Sequence, residues 1–163
     1  MFNRGFKKSK LTKIVLLIVS SLTVVICVLF FQLRSSIVLD YNFANKVYSG
    51  IIEHSMVDFN YLADFEWEWL LIASPYTRVS DMLRSEGIRW RGRDTQIEFH
   101  DGIALFLFIH NNRVVAHMNY PLYRGDFLCS FTDILAWYVW DREYAKFIIG
   151  NCNMCKICII PIK

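Results

Sequence analysis

The feature that most restricts what this chain can fold into is an unbroken apolar block from Ile14 to Phe31. Only Ser20, Ser21, Thr23 and Cys27 depart from aliphatic or aromatic side chains there, and no residue is charged. As a helix the block rises about 27 Å at roughly 1.5 Å per residue, close to the roughly 30 Å thickness of a bilayer's hydrocarbon core. The expectation is a transmembrane signal anchor over residues 14–33, with the lipid bilayer as its partner and with Lys13 and Arg34 reaching toward the interfaces.

The direction of such an anchor follows from charge. Arg4, Lys7, Lys8, Lys10 and Lys13 precede the block with no acidic residue among them, and the excess of basic residues marks the cytoplasmic side. Residues 1–13 then read as a basic cytoplasmic segment in an inner-membrane protein, and the rest as lying outside the cytoplasm. A cleaved signal peptide is the competing reading. Its apolar region is typically about 7 to 15 residues and ends in small side chains, whereas this block runs into Phe30, Phe31, Gln32, Leu33 and Arg34. A lipoprotein would need a small residue before Cys27, where Ile26 stands. Once the five early cations are set aside, the formal charge of +3 becomes slightly acidic, so the basic pI is no argument for nucleic-acid binding.

Residues 34–150 read as one extracytoplasmic α+β domain of ordinary size, followed by a cysteine-containing tail at 151–163. From Ile37 to Val57 the apolar residues Ile37, Tyr41, Ala44, Tyr48, Ile51 and Ile52 recur every three or four positions, which predicts an amphipathic helix. In Asp64–Ala73, Phe65, Trp67, Trp69 and Leu71 alternate with Glu66, Glu68 and Leu70, the period of a strand. Thr77 fits the N-cap of a short helix through Arg84 that stops at Gly87. Residues 96–100, 103–110 and 113–120 read as three antiparallel strands joined by Asp101-Gly102 and Asn111-Asn112 turns. Phe127–Phe131 is a further candidate strand, and Thr132–Ile149 fits neither period. The expected architecture is one transmembrane helix followed by helices packed on a four- to five-stranded antiparallel sheet.

No catalytic, cofactor-binding or metal-binding residue set stands out. The spacing Cys152-x-x-Cys155-x-x-Cys158 is the most conspicuous pattern, with Cys129 as the other cysteine outside the apolar block. Outside the cytoplasm such cysteines form disulfides more often than metal sites, and four of them allow three pairings. A redox C-x-x-C pair follows a strand and opens a helix, a context this tail lacks. His100, His110 and His117 fall on or beside neighbouring predicted strands, and Glu66 and Glu68 share a predicted strand face. Solvated or hydrogen-bonded roles suit all five better than metal ligation or paired-carboxylate chemistry. Aromatic side chains with arginine favour interfaces. Trp90 within Arg89, Arg91 and Arg93 is accordingly the candidate partner surface, against the alternative that Trp90 only packs over a sheet edge.

The run Asp64-Phe65-Glu66-Trp67 leading to Pro75-Tyr76-Thr77, followed by the Asp101-Gly102 turn and Asp126-Phe127, resembles a group of small uncharacterised bacterial proteins. These carry a signal or anchor and then a domain with an F-x-W-[D/E] strand entering a P-Y-T turn. The resemblance covers roughly residues 58 to 127. It implies a location in the bacterial cell envelope and transfers no activity or site residue. The functional expectation is a non-enzymatic, membrane-anchored protein-binding module, an envelope accessory, inhibitor or immunity-type protein whose partner is another envelope protein. The second reading is a thiol-redox or metal-binding protein that uses the C-terminal cysteines.

Overall fold

A computed structural model describes residues 5–32, 36–39, 41–90, 92, 95–129, 137–150 and 157–162. The chain divides into two compact units, Met1–Ser35 and Ser36–Lys163. The first consists of helix α1, Gly5–Gln32. Within it the hydroxyls of Ser20 and Thr23 donate back to the carbonyls of Leu17 and Val19, which satisfies these two side chains inside the helix.

Among the described residues no helix is long and apolar enough to cross a membrane, which corrects the expected transmembrane signal anchor at 14–33. The apolar block from Ile14 to Phe31 is bordered by Lys13 and lies at the short end of the roughly 17–25 residues that a span requires.

The second unit is α+β, but its strands form two sheets where a single antiparallel one was expected. In chain order it contains β1 (Ile37–Val38), α2 (Tyr41–His54), β2 (Met56–Asp58), α3 (Phe59–Leu62), β3 (Trp69–Ala73) and α4 (Val79–Ser85). It continues with β4 (Ile103–His110), β5 (Arg113–Pro121), β6 (Trp137–Asp141), β7 (Lys146–Gly150) and β8 (Cys158–Pro161). One sheet has the order β1-β5-β4-β3-β6 and the other β2-β7-β8. The larger sheet is mixed, because β1 runs parallel to β5 while its other neighbours are antiparallel. A pattern of apolar and polar residues carries burial but not strand direction, and β1 contributes only two residues to that decision.

The larger sheet is covered on both faces. Phe106 and Phe108 of β4, Leu70 and Ile72 of β3, and Ala116, Met118 and Tyr120 of β5 face a cluster formed with α2, α3 and the smaller sheet. Leu105, Leu107 and Ile109, with Leu71 and Ala73, face a second cluster with Met82 of α4, Ile88 and Ile97. This two-sided burial explains why β4 reads as an unbroken apolar run and not as an alternation. A bulge near Phe108 and Ile109 shifts the register so that Val114 faces the second cluster while Ala116 faces the first. Phe59 sits at the hub of the first cluster, its ring about 6 Å from those of Phe106, Phe108, Phe127 and Phe147.

Several elements depart from the sequence pattern for identifiable reasons. Helix α2 starts at Tyr41 and buries Phe43, Ala44, Val47 and Ile51, leaving Tyr41 and Ile52 exposed. The expected stripe was right at Ala44 and Ile51, whereas Phe43 and Val47 take the buried places expected of Tyr41 and Tyr48. Of the three expected strands, residues 97–99 form a 3-10 turn entered through Gln96 at φ 60°, and only β4 and β5 make a hairpin. The Asn111 and Asn112 turn has φ of 52° and 55°, the paired positive values that a tight hairpin requires. Thr77 does not cap α4. Its hydroxyl donates to the carbonyl of Ser74 at 2.7 Å, and the N–H of Val79 donates to the Glu98 carboxylate instead. The end of the chain supplies β8, which pairs with β7 and is tied to the loop after β5 by a Cys129–Cys158 disulfide with Cα atoms 5.7 Å apart.

Candidate binding cleft

The alternation in Asp64–Ala73 breaks at Glu68. Phe65 and Trp67 lie on the side of Leu70 and Ile72, whereas Trp69 and Leu71 face the other way. The bend leaves Glu68 just before β3, where its N–H donates to the Ile109 carbonyl and its own carbonyl accepts from the N–H of Arg142, each at 2.7 Å. Both faces of β3 are buried, and Glu68 projects to solvent at the end of the sheet.

Around that end the side chains hold one another in place. One Glu68 carboxylate oxygen accepts from the N–H of Asn111 at 3.0 Å. The other lies 3.3 Å from His110 Nδ1, which is buried and out of hydrogen-bonding alignment. Opposite, Asp58 caps α3 by accepting from the N–H of Asn60 at 2.9 Å, and its nearly buried carboxylate pairs with Lys146 Nζ at 3.2 Å. Arg142 follows β6 in a 3-10 turn. Its Nε donates to Asn60 Oδ1 and its carbonyl accepts from Asn60 Nδ2, both at 2.8 Å. The guanidinium carbon of Arg142 stands 5.5 Å from the Trp67 ring, a cation–π contact over the only indole of the site. Trp67 is almost wholly buried, and among the described residues its Nε1–H has no acceptor, which costs about 1–3 kcal/mol.

The product is an open cleft of about 600 Å³ lined by Asp58, Asn60, Tyr61, Trp67, Glu68, Asp141, Arg142, Glu143 and Lys146. Four carboxylates face two cations, and the cations are already engaged by Asn60, Trp67 and Asp58. Asp141 and Glu143 are exposed on the rim, and Tyr61 is 89% exposed. The surplus of negative charge, in which Glu143 meets only the neutral hydroxyl of Tyr144, lies beside an exposed phenol ring and suits a cationic group on an apolar stem.

The residues marked out by sequence are placed otherwise. Trp90 is half buried, its Nε1–H donates to Ser36 Oγ at 3.0 Å, and its ring lies 4.9 Å from that of His117 on β5. It thus packs over the β1–β5 end of the sheet. Ser36 Oγ is in turn 3.3 Å from His117 Nδ1, and burial lowers the imidazole's pKa below the ordinary histidine value. Arg89 is exposed and bridges to Arg113 through its backbone, whereas Arg91 and Arg93 lie outside the described residues. A second, smaller hollow beside Trp90 is lined by Val79, Leu83, Glu98 and Phe99 among others.

His100 accepts from the N–H of Gly102, and Glu66 is exposed and takes no part in the cleft with Glu68. Among the described residues no group of histidine, cysteine and carboxylate side chains is arranged to hold a metal ion. Cys129 and Cys158 form the disulfide, while Cys152 and Cys155 lie outside the described residues.

Asp58, Asn60, Tyr61, Asp141, Arg142, Glu143 and Lys146 were not singled out from sequence. One signal was present: the charged triplet Asp141-Arg142-Glu143, with Lys146 close behind, interrupts the apolar and aromatic run from Trp137 to Ile149.

A buried cation also escaped notice. Arg124, 6% exposed, donates to Asn45 Oδ1 at 2.8 Å and to the hydroxyl of Tyr41, with its guanidinium 4.5 Å from the Tyr41 ring. It pins the turn after β5 to α2. No family model, curated protein or solved structure matches the chain.

Proposed function

We propose that the protein is a non-enzymatic binding module that engages another protein through the cleft beside Arg142, as an accessory, inhibitor or immunity-type protein. One observation carries the reading. The cleft is open and net acidic, its rim carboxylates Asp141 and Glu143 and the ring of Tyr61 are exposed, and the floor beneath them is fixed by the Asn60–Arg142 and Asp58–Lys146 pairs. A rigid floor with an exposed charged and aromatic rim is what a protein surface meets at low ordering cost, whereas small-molecule sites enclose most of their ligand.

We further infer a location outside the cytoplasm. Its support is the Cys129–Cys158 disulfide, a bond that persists in oxidising compartments and is rare in the cytosol. The thiol-redox reading has less in its favour, because Cys158 is 2% exposed and a buried cysteine that staples a strand to a loop is ordinarily inert.

The test is site-specific photocrosslinking from position 61 of the full chain in its native cells. A discrete adduct is expected, and it should vanish when Asp141→Lys and Glu143→Lys are introduced together. Crosslinking indifferent to that charge reversal would remove the cleft as the binding site.

A further inference from the structure

Among the described residues strand β6 is an edge of the larger sheet, paired to β3 on one side. In an antiparallel pair, opposed residues alternate between those that exchange backbone hydrogen bonds and those that do not. The Arg142 N–H donates to the Glu68 carbonyl, and the register sets Trp69 opposite Asp141. That single bond from Arg142 to Glu68 sets the phase, so that Leu70–Trp140 and Ile72–Tyr138, two and four steps on, are the bonded type. Tyr138 and Trp140 spend their backbone groups on β3. Trp137, Val139 and the N–H of Asp141 turn outward, where among the described residues they have no backbone partner, while the Asp141 carbonyl opens the 3-10 turn that follows.

Such edges are commonly blunted by proline, lysine or a bulge. The sequence Trp137-Tyr138-Val139-Trp140-Asp141 contains neither residue, its pairing with β3 is regular, and Val139 is 41% exposed. The strand runs directly into the acidic rim, since Asp141 is both its last residue and part of the cleft wall.

We propose that β6 takes up an extended segment of the partner polypeptide as a sixth strand. The segment's main chain pairs with Trp137, Val139 and the N–H of Asp141, and a lysine or arginine it carries enters the cleft between Asp141 and Glu143. The inference rests on the binding-module reading above and adds the mode of recognition: main-chain bonds supply affinity and the basic side chain supplies specificity. Charge complementarity selects this occupant over a second copy of the chain, because β6 has no cation of its own to set against the carboxylates.

The experiment follows backbone amide exchange of the full chain with two synthetic ten-residue peptides of alternating valine and threonine, one with a central lysine and one with glutamate there. The lysine peptide should slow exchange at Val139 and Asp141 by at least tenfold and bind at least tenfold more tightly than the glutamate peptide. Val139→Pro removes one outward donor and no bond to β3, so it should abolish protection while leaving the circular dichroism spectrum unchanged; if it unfolds the chain, N-methylation of alternate amides in the peptide makes the same test from the other side. Protection away from β6, equal binding of both peptides, or protection without peptide through self-association in ultracentrifugation would each overturn the proposal. Binding that is lost with Glu143→Lys but untouched by Val139→Pro would sink strand addition alone and leave the cleft as the site.

Discussion

Strands β4 and β6 belong to the same sheet and are separated by one strand, yet they spend their residues on different tasks. In β4 the six residues from Ala104 to Ile109 are buried, and both backbone edges are paired, to β3 and to β5. In β6 no residue is fully buried, and one backbone edge is paired. Aromatic side chains serve both. Phe108 is locked among Phe43, Phe59, Phe65 and Trp67, whereas Trp140 covers Phe147 from the sheet's margin. Composition alone does not separate a core strand from an edge strand. The number of satisfied edges does.

The contrast can be broken most forcefully at its centre. Phe108→Ala leaves a cavity shared by four aromatic neighbours and is expected to cost about 3–5 kcal/mol in chemical denaturation; a loss below about 1 kcal/mol would mean that β4 is not the core strand described here. Next in size is the disulfide. Cys129→Ser with Cys158→Ser frees β8 from the loop after β5 and should lower stability by about 2–4 kcal/mol, with amide exchange rising in β7 and β8 before β4. Uniform loosening of both sheets would show that the smaller sheet is not a separable margin.

A smaller effect comes from His117 on β5. Its folded-state pKa is lowered by burial, so it is neutral in both states above the unfolded value of about 6.5, and its favourable contribution is fully present there. Below about pH 6.5 the unfolded chain binds the proton more readily, and stability should fall until the folded-state pKa is passed. His117→Gln is expected to flatten the denaturation midpoint over that interval, and an unchanged pH profile would refute the assignment.

The smallest expected effect lies at the edge. Val139→Lys adds the guard that β6 lacks and should shift stability by less than about 0.5 kcal/mol. A large loss there would place Val139 in a core it was not seen to join.

The paired asparagines at 111 and 112 announced the hairpin because positive φ at both turn positions favours few residue types. The strand at Trp69–Ala73 was legible from its aromatic and aliphatic run, but its faces were not. A single bend at Glu68 reverses the parity, and no local residue preference encodes that bend. The cleft was hidden for a related reason. Asp58, Glu68 and Arg142 are distant in sequence, and they meet only because β2 pairs with β7 and β3 pairs with β6.

By itself the sequence determined the α+β character of the second unit, the β4–β5 hairpin and the candidate cysteines, all of which depend on short-range periodicity and turn chemistry. The apolar block at 14–31 stood out by the same means, and its helix followed. Tertiary structure alone decided that the strands divide into two sheets, that Cys158 pairs with Cys129, that Trp90 packs against Ser36 and His117, and that an acidic cleft forms beside β6. These outcomes depend on which strand edges find partners, and pairing between residues tens of positions apart is settled by the packing of the whole core.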